Sequence, residues 1–378
     1  MNEMLPWLLR ISELCALLYG ILIFLYTLGW FRLKNKTRDS SFTKISVTVL
    51  VAARNEENTI ENLLNDLAKQ DYPINLLEII IVDDHSEDTT QSKIQSFLDT
   101  HTDLNIKLLK AKNTSKKAAL AQAFSYAKGQ FILVTDADCR PNSGWVTSMT
   151  GFYDEQRTKM VLGPVLLDPT PRFFDQIQSL EFMSLIGSTA GACGIGLPSM
   201  ANGANLGFER EAASALGKEA FNTMFASGDD VFLLHAMKKK FGNQSIAFVL
   251  DEKAIVKTST SPNITTFLQQ RMRWVSKSKG YSDFGIILPA IIVFLFNLAV
   301  MALFVATVFY SYFLPITTLF IILKFMIDYP LLSETTRFMQ KRRLLIWALP
   351  LEIFYPFYIV IIAIAGNISG IYWKGRKI

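Results

Sequence analysis

The stretch KKAALAQAFSYAKGQFILVTDADC, residues 116–139, holds one full step of the fold. Its first half carries apolar residues at helical spacing and closes at Gly129. Its second half, from Gln130, is an apolar run rich in β-branched residues, the pattern of a buried strand. The run then meets Asp136 and Asp138, separated by one alanine. Two carboxylates that close repel one another unless a cation neutralises them. Hard divalent ions prefer oxygen ligands and keep positions open for phosphate oxygens. This strand end therefore predicts a place for Mg²⁺ or Mn²⁺ carrying a diphosphate, with a solvated acidic loop as the plainer alternative.

Upstream the same alternation repeats. ISVTVLVAA (45–53) reads as a strand and EENTIENLLNDLAKQ (56–70) as a helix starting near Asn58 or Thr59. LEIIIVDD (77–84) reads as a strand, TTQSKIQSFLDT (89–100) as a helix and NIKLLKA (105–111) as a strand. Strand and helix in alternation predict an α/β fold with a mainly parallel sheet covered on both faces. In such sheets ligands bind beyond the carboxyl ends of the strands. ARNEE, DDHSED and DADCR all fall at that edge. DDHSED also suits a plain Asx turn capping the next helix. NTSKKAAL sets two lysines at a helix start, where an anion is favoured; a solvated basic turn reads equally well.

Composition sets the surroundings. Half of the 378 residues are hydrophobic and 28 are Phe, too rich for an ordinary soluble chain. The apolar residues gather at about 11–31, 284–308, 314–332 and 344–372, runs on the scale of the roughly 20 helical residues that cross a bilayer. The last run, interrupted by Pro350, Pro356 and Gly366, reads either as one tilted span or as a re-entrant pair. Basic residues flank these runs: Arg32, Lys34, Lys36, Arg38 and Lys44; Arg271, Arg273, Lys277 and Lys279; Arg337, Lys341, Arg342 and Arg343. By the positive-inside rule the globular segment faces the cytoplasm, which predicts a multi-pass protein of the cell's inner (plasma) membrane. The expected organisation is an anchor and basic linker at 1–44, an α/β domain at 45–260, an amphipathic interfacial helix at 261–283 and a membrane region at 284–378. Three scattered cysteines fit neither a disulfide framework nor a zinc site. No basic face with interleaved aromatics argues for nucleic acid.

Two later segments carry further candidates. In FASGDDVFLLHAMKKK (225–240), Asp229 and Asp230 precede a helix and suit N-caps, yet a carboxylate there could also take a proton from an acceptor hydroxyl. In PNITTFLQQRMRWVSKSKGY (262–281), a helix would place Ile264, Phe267 and Leu268 on an apolar stripe. It would group Gln270, Arg273 and Trp274 on another face.

Taken in order, VLVAARNEENTI, IIIVDDHSEDTT, SKKAAL, VTDADC, NGANLGFER, SGDD and QQRMRW resemble the signature set of family 2 glycosyltransferases, in particular the membrane-integrated group with a QxxRW motif. That group includes polysaccharide synthases and ceramide-glucosyltransferase-like enzymes. The resemblance implies a GT-A fold and inverting transfer from a nucleotide sugar, usually a UDP-sugar, with Mg²⁺ or Mn²⁺, to a membrane lipid or a glycan. It implies Arg54 and Glu56 in the first nucleotide-binding loop, Asp83 or Asp84 at the base, and Lys116 toward the diphosphate. Asp136 and Asp138 match the DxD pair, with Asp138 as metal ligand. Asp230 matches the general base, and Gln270, Arg273 and Trp274 match QxxRW, holding the diphosphate and lining the acceptor entrance. The sequence departs from the pattern at Asp229, where a glutamate is usual, at NTSKK, which lacks the glycine before the lysine, and at Glu209, where a basic residue is common. A processive polysaccharide synthase and a non-catalytic nucleotide-sugar sensor are the rival readings.

Overall fold

The structure, a computed structural model, describes residues 4–34, 44–153, 158–217, 229–281, 283–368, 372–373 and 376–377. It divides into two compact units. One comprises Arg32–Asp168 and Gly196–Ser259, the other Met1–Phe31, Pro169–Ile195 and Thr260–Ile378.

The first unit is the α/β body. In chain order it contains β1 (Val47–Ala53), α2 (Ile60–Ala68), β2 (Leu77–Asp83), α3 (Thr90–Thr100), β3 (Ile106–Lys110), α4 (Lys116–Tyr126) and β4 (Phe131–Asp136). There follow β5 (Arg140–Pro141), α5 (Trp145–Thr150), β6 (Met160–Leu162), β7 (Val165–Asp168), β8 (Leu206–Glu209), α7 (Arg210–Ala215), α8 (Asp229–Phe241), β9 (Ile246–Phe248) and β10 (Val256–Ser259). Seven strands form one sheet in the order β3-β2-β1-β4-β8-β6-β9. The first four are parallel, and β8 runs against both β4 and β6. A smaller sheet has the order β5-β10-β7. The strands and helices expected between 45 and 136 all form where the periodicity predicts them.

β2 is buried along its whole length, and β1 and β4 at all but one residue each, which is why these strands read as continuous apolar runs. Each buried Val, Leu or Ile there contributes roughly 1.5–3 kcal/mol. Register matters most for the site. Ala53 pairs with Asp83 and Ala52 with Asp136, so the ends of β1, β2 and β4 lie level at one edge. At the other edge Glu78 accepts from Thr48 Oγ1 at 2.8 Å, Lys107 Nζ at 2.5 Å and the Lys128 amide at 3.0 Å. Gly129 was expected to close α4. The helix ends earlier, with Ala127 as its cap. Gly129 instead lies against β1, where a Cβ would run into the Thr48 amide nitrogen.

The second unit is helical: α1 (Met4–Lys34), α6 (Phe173–Gly194), α9 (Ile264–Ser276), α10 (Phe284–Phe309), α11 (Leu314–Phe338) and α12 (Ala348–Ile368). Among the described residues, four stretches are long and apolar enough to cross a membrane: Pro6–Lys34, Phe284–Phe309, Ser311–Phe338 and Arg342–Ile368. They expose Phe24, Val308 and Phe354, as lipid-facing surfaces do. The final stretch is one continuous helix and not a re-entrant pair. Pro350 falls in its first turn, where no amide partner is lost, and the helix continues through Pro356.

Helix α6 belongs to this second unit by its packing, although 45–260 was expected to form one domain. Gly29 of α1 meets Gly191 and Gly194 of α6, and a Cβ on any of the three would collide with backbone. Small residues let two helices touch main chain to main chain. Farther along, Lys324 of α11 is 1% exposed. Its ammonium lies 2.7 Å from Asp328 and 2.5 Å from Glu352 of α12. Tyr19 of α1 donates to Asp328 at 2.6 Å. One buried cation thus ties three helices.

Candidate active site

The level strand ends of the α/β body carry the charged groups. Asp136 ends β4 and pairs with the ammonium of Lys116, the first residue of α4. That helix is capped by Ser115, whose hydroxyl accepts the Ala118 amide at 3.1 Å, so its free amides and Lys116 point the same way. Burial works against a charged Lys116, but Asp136, Asp138 and Asp230 outweigh it and hold the ammonium above its usual range. Burial also pushes the Asp138 carboxyl up, and the charges of Asp136 and Glu56 add to this, with Lys116 opposing them. Lys116 thus feels Asp136, Asp138 and Asp230, and Asp138 feels Asp136, Glu56 and Lys116.

Individual partners orient these groups. Asp138 accepts from Thr258 Oγ1 of β10 at 3.4 Å. Cys139, left without a role by the sequence, is buried in the turn. Its amide donates to the Asp136 carbonyl at 3.1 Å, and its thiol lies 3.6 Å from Asp138. Asp230 stands in the first turn of α8. It accepts the Gly203 amide on Oδ2 at 2.8 Å and the Val231 amide on Oδ1 at 2.9 Å. Each carboxylate oxygen has capacity for a further hydrogen bond. The Asp229 side chain lies outside those described.

The first loop follows β1. Arg54 Nη1 donates to the Asp84 carbonyl at 3.3 Å, and its Nη2 lies 3.6 Å from Glu87 Oε1. Asn55 adopts a left-handed backbone with φ 53°, and His85 does so after β2 with φ 58°. Asn is among the few residues that tolerate it. The Glu56 amide donates to Thr90 Oγ1 at 2.7 Å. Asp83 and Asp84 differ in their partners. Asp84 Oδ1 accepts the Ser115 amide at 3.1 Å and faces His85 at 3.2 Å. Asp83 is equally buried, yet its Oδ1 has no hydrogen-bond partner among the described residues. A buried carboxylate oxygen left open is costly unless a ligand fills it.

Within NGANLGFER, Asn205 is engaged inside the α/β body. Asn205 is fully buried; it donates to the Pro164 and Ala254 carbonyls at 2.8 Å each and accepts from Trp145 Nε1 at 2.9 Å. It ties the two sheets together internally. Glu209 is likewise spent on Tyr153 at 2.7 Å and Lys159 at 2.8 Å. Gly203 does serve the site, through its amide to Asp230.

Gln270, Arg273 and Trp274 lie in the helical unit. The segment is helical, capped by Asn263, which accepts the Thr266 amide at 2.9 Å. Of the expected stripe, Phe267 is buried and Leu268 half-buried. Ile264 is 61% exposed, and the deeply buried residues are Phe267 and Arg271. Arg271 had drawn attention only as one of a basic flank, because a buried arginine is visible only through its partners.

The donor set has been formed from oxygen alone. Among the described residues no group of three or more His, Cys, Asp or Glu is placed to hold a metal ion. Asp138 with Asp136 thus fits a hard cation that takes one or two carboxylates and completes its shell with phosphate and water oxygens. It does not fit zinc.

A mainly parallel α/β sheet with an acidic pair at its strand ends is an arrangement of GT-A type, and four helical stretches among the described residues are long and apolar enough to cross a membrane. Residues 48–217 match the family model described as Glycosyl transferase family 2. The chain is 32% identical over 117 residues to a poly(ribitol-phosphate) β-N-acetylglucosaminyltransferase, TarS, of Staphylococcus aureus strain Mu50, covering 30% of this chain and 20% of that protein. It is 30% identical over 116 residues to a β-monoglucosyldiacylglycerol synthase of Trichormus variabilis, covering 30% of this chain and 25% of that one. The matched region thus spans a quarter or less of these relatives. Among solved structures, the mannosyltransferase PcManGT from Pyrobaculum calidifontis, in complex with GDP-Man and Mn²⁺, shares the fold. Its TM-score is 0.59 at 19% identity, over 95% of this chain and 98% of that one.

Proposed function

We propose that the protein transfers a sugar from a nucleotide sugar, a UDP-sugar by our reading, to a lipid-linked or short-glycan acceptor at the cytoplasmic face of the inner membrane, with inversion at the anomeric carbon. The observation that carries this reading is the ion pair of Lys116 with Asp136 at the level strand ends, with Lys116 also in the field of Asp138 and Asp230. It gathers a phosphate cation, a metal-type carboxylate pair and a base at one place.

In the direct displacement, Asp230 takes the proton of the acceptor hydroxyl as its oxygen attacks the anomeric carbon. The bond from that carbon to the diphosphate breaks on the opposite side. The Gly203 amide keeps the Asp230 carboxylate aimed. Negative charge grows on the departing diphosphate, where the Lys116 ammonium and the amides opening α4 stabilise it. A divalent cation held by Asp138 with Asp136, when bound, supplies further positive charge at the same oxygens. The open Oδ1 of Asp83 takes a base N–H, and Arg54 and Glu56 shape the loop above it. Gln270, Arg273 and Trp274 serve the diphosphate and the acceptor.

Four candidate spans favour a lipid or short acceptor over a long polymer, which needs a conduit across the bilayer. A mere sensor would have no use for a carboxylate beside Lys116 fixed by two amides. The full chain in detergent, with radiolabelled UDP-sugars and GDP-mannose, Mn²⁺ and membrane lipid extract, tests the proposal. Label in the organic phase supports it; insoluble polymer contradicts the acceptor, and no transfer from any donor contradicts the enzyme.

A further inference from the structure

The buried side of α9 contains a charge pair that the proposed chemistry does not use. Arg271 and Glu181 of α6 have side chains only 4% and 5% exposed, and Arg271 Nη2 donates to Glu181 Oε2 at 2.5 Å. Tyr358 of α12 donates to the other oxygen of Glu181 at 3.3 Å. Nε is buried with no hydrogen-bond partner among the described residues, and the other contacts of the guanidinium lie mainly on its own helix. Nη1 donates to Gln270 Oε1 at 3.1 Å. The guanidinium plane lies 4.2 Å from the Trp274 ring centroid and 4.8 Å from that of Phe267. Phe182, beside Glu181, closes on Trp274 with centroids 6.0 Å apart. On the far side α12 comes close at Gly366, where a Cβ would lie 3.0 Å from the Met272 carbonyl.

Burying a charge pair is expensive, and apolar residues of similar volume often hold a core at least as well. This pair secures something an apolar contact does not: the orientation of two particular side chains. A carbonyl oxygen engaged by Arg271 fixes which way the Gln270 amide is turned, so its NH₂ is presented as a donor. A cation over the indole face fixes the Trp274 ring through its quadrupole. Arginine does both at once because its planar fork donates along several directions while its face stacks; a lysine ammonium does one or the other.

We propose that Arg271, anchored by Glu181, is a positioning residue that sets the Gln270 amide as a donor and holds the Trp274 ring for the acceptor and the diphosphate. The inference rests on the reading of Gln270 and Trp274 as substrate-binding groups and goes beyond it by naming what aims them. The consequence is a link from α6 and α12 to that segment. A change at Glu181, far along the chain, acts through Arg271 on how the acceptor is held.

The test is steady-state transfer by the full chain in detergent, with acceptor and nucleotide sugar varied separately. Arg271→Lys keeps a cation for Glu181 but cannot also hold Gln270 and Trp274. It is expected to lower kcat/KM for the acceptor about tenfold or more, with the nucleotide-sugar KM within about twofold and the melting temperature nearly unchanged. Glu181→Met with Arg271→Met, an apolar pair, is expected to melt at or above the wild-type temperature and show the same acceptor defect. A folded Arg271→Lys protein with wild-type acceptor kinetics overturns the proposal, whatever becomes of the double variant. Gln270→Ala and Trp274→Ala separate this from failure of the underlying reading. If both transfer at the wild-type rate, that reading and the proposal fall together. If they are impaired while Arg271→Lys is not, only the positioning role falls.

Discussion

Asp83 and Asp84 are neighbours with the same side chain and the same burial, and only their partners tell them apart. The Asp84 carboxylate is engaged by the Ser115 amide, whereas Asp83 Oδ1 stands open. Asp83→Asn should weaken nucleotide-diphosphate binding roughly tenfold, about the 1.4 kcal/mol of one lost hydrogen bond, as read by calorimetric titration. Asp84→Asn should instead lower the melting temperature and leave nucleotide affinity for the folded protein little changed. Equal affinity of Asp83→Asn and wild type would remove Asp83 from the base site. Asp138→Ala should abolish the part of nucleotide binding that Mn²⁺ adds; an unaltered Mn²⁺ dependence would remove it as a ligand. Asp136, Asp138, Lys116 and Asp230 were legible because strand ends and helix starts follow from periodicity. Gly203, Thr258 and Glu181 were not, since each acts through a contact formed far along the chain.

Elements could be read in proportion to how far local pattern decides them. β1 to β4 and α2 to α4 lie in the sequence as apolar runs and helical stripes, and they form where those predict. Glu78 shows the limit. It sits inside an otherwise apolar strand, and what makes it tolerable is Thr48, Lys107 and the Lys128 amide, all brought in by the sheet. Burial pushes its carboxyl up, but these partners prevail and hold it below the usual glutamate range. Its stabilisation is therefore full above the unfolded value of about 4.3 and is lost as pH falls through the lower folded one. Glu78→Gln should cost about 1–2 kcal/mol near neutrality, seen as a lower melting temperature, with the gap to wild type closing in acid. A gap that widens in acid would contradict this. In the helical unit, Lys324→Met leaves Asp328 and Glu352 facing each other without their cation. It should cost about 3–5 kcal/mol, measured as lost thermal stability in detergent; an unchanged melting temperature would show that the cluster does not bind the helices together.

At the scale of the molecule, the four long apolar helices followed from the number of residues a bilayer demands, which is why they were visible as composition alone. Helix α6 was not visible, because it buries Asp175, Gln178 and Glu181 beside its glycines and so lacks the uniform apolarity of a span. Its place in the helical unit depends on Gly29, Gly191 and Gly194 meeting in three dimensions. The central claim is sugar transfer with Asp230 as the base, and the most direct measurement is the initial rate of transfer by the full chain with and without Asp230→Asn, alongside nucleotide affinity. The account predicts a fall in rate of about 10²–10⁴-fold with affinity nearly unchanged, the loss expected on removing a general base. Transfer by Asp230→Asn at close to the wild-type rate would contradict it.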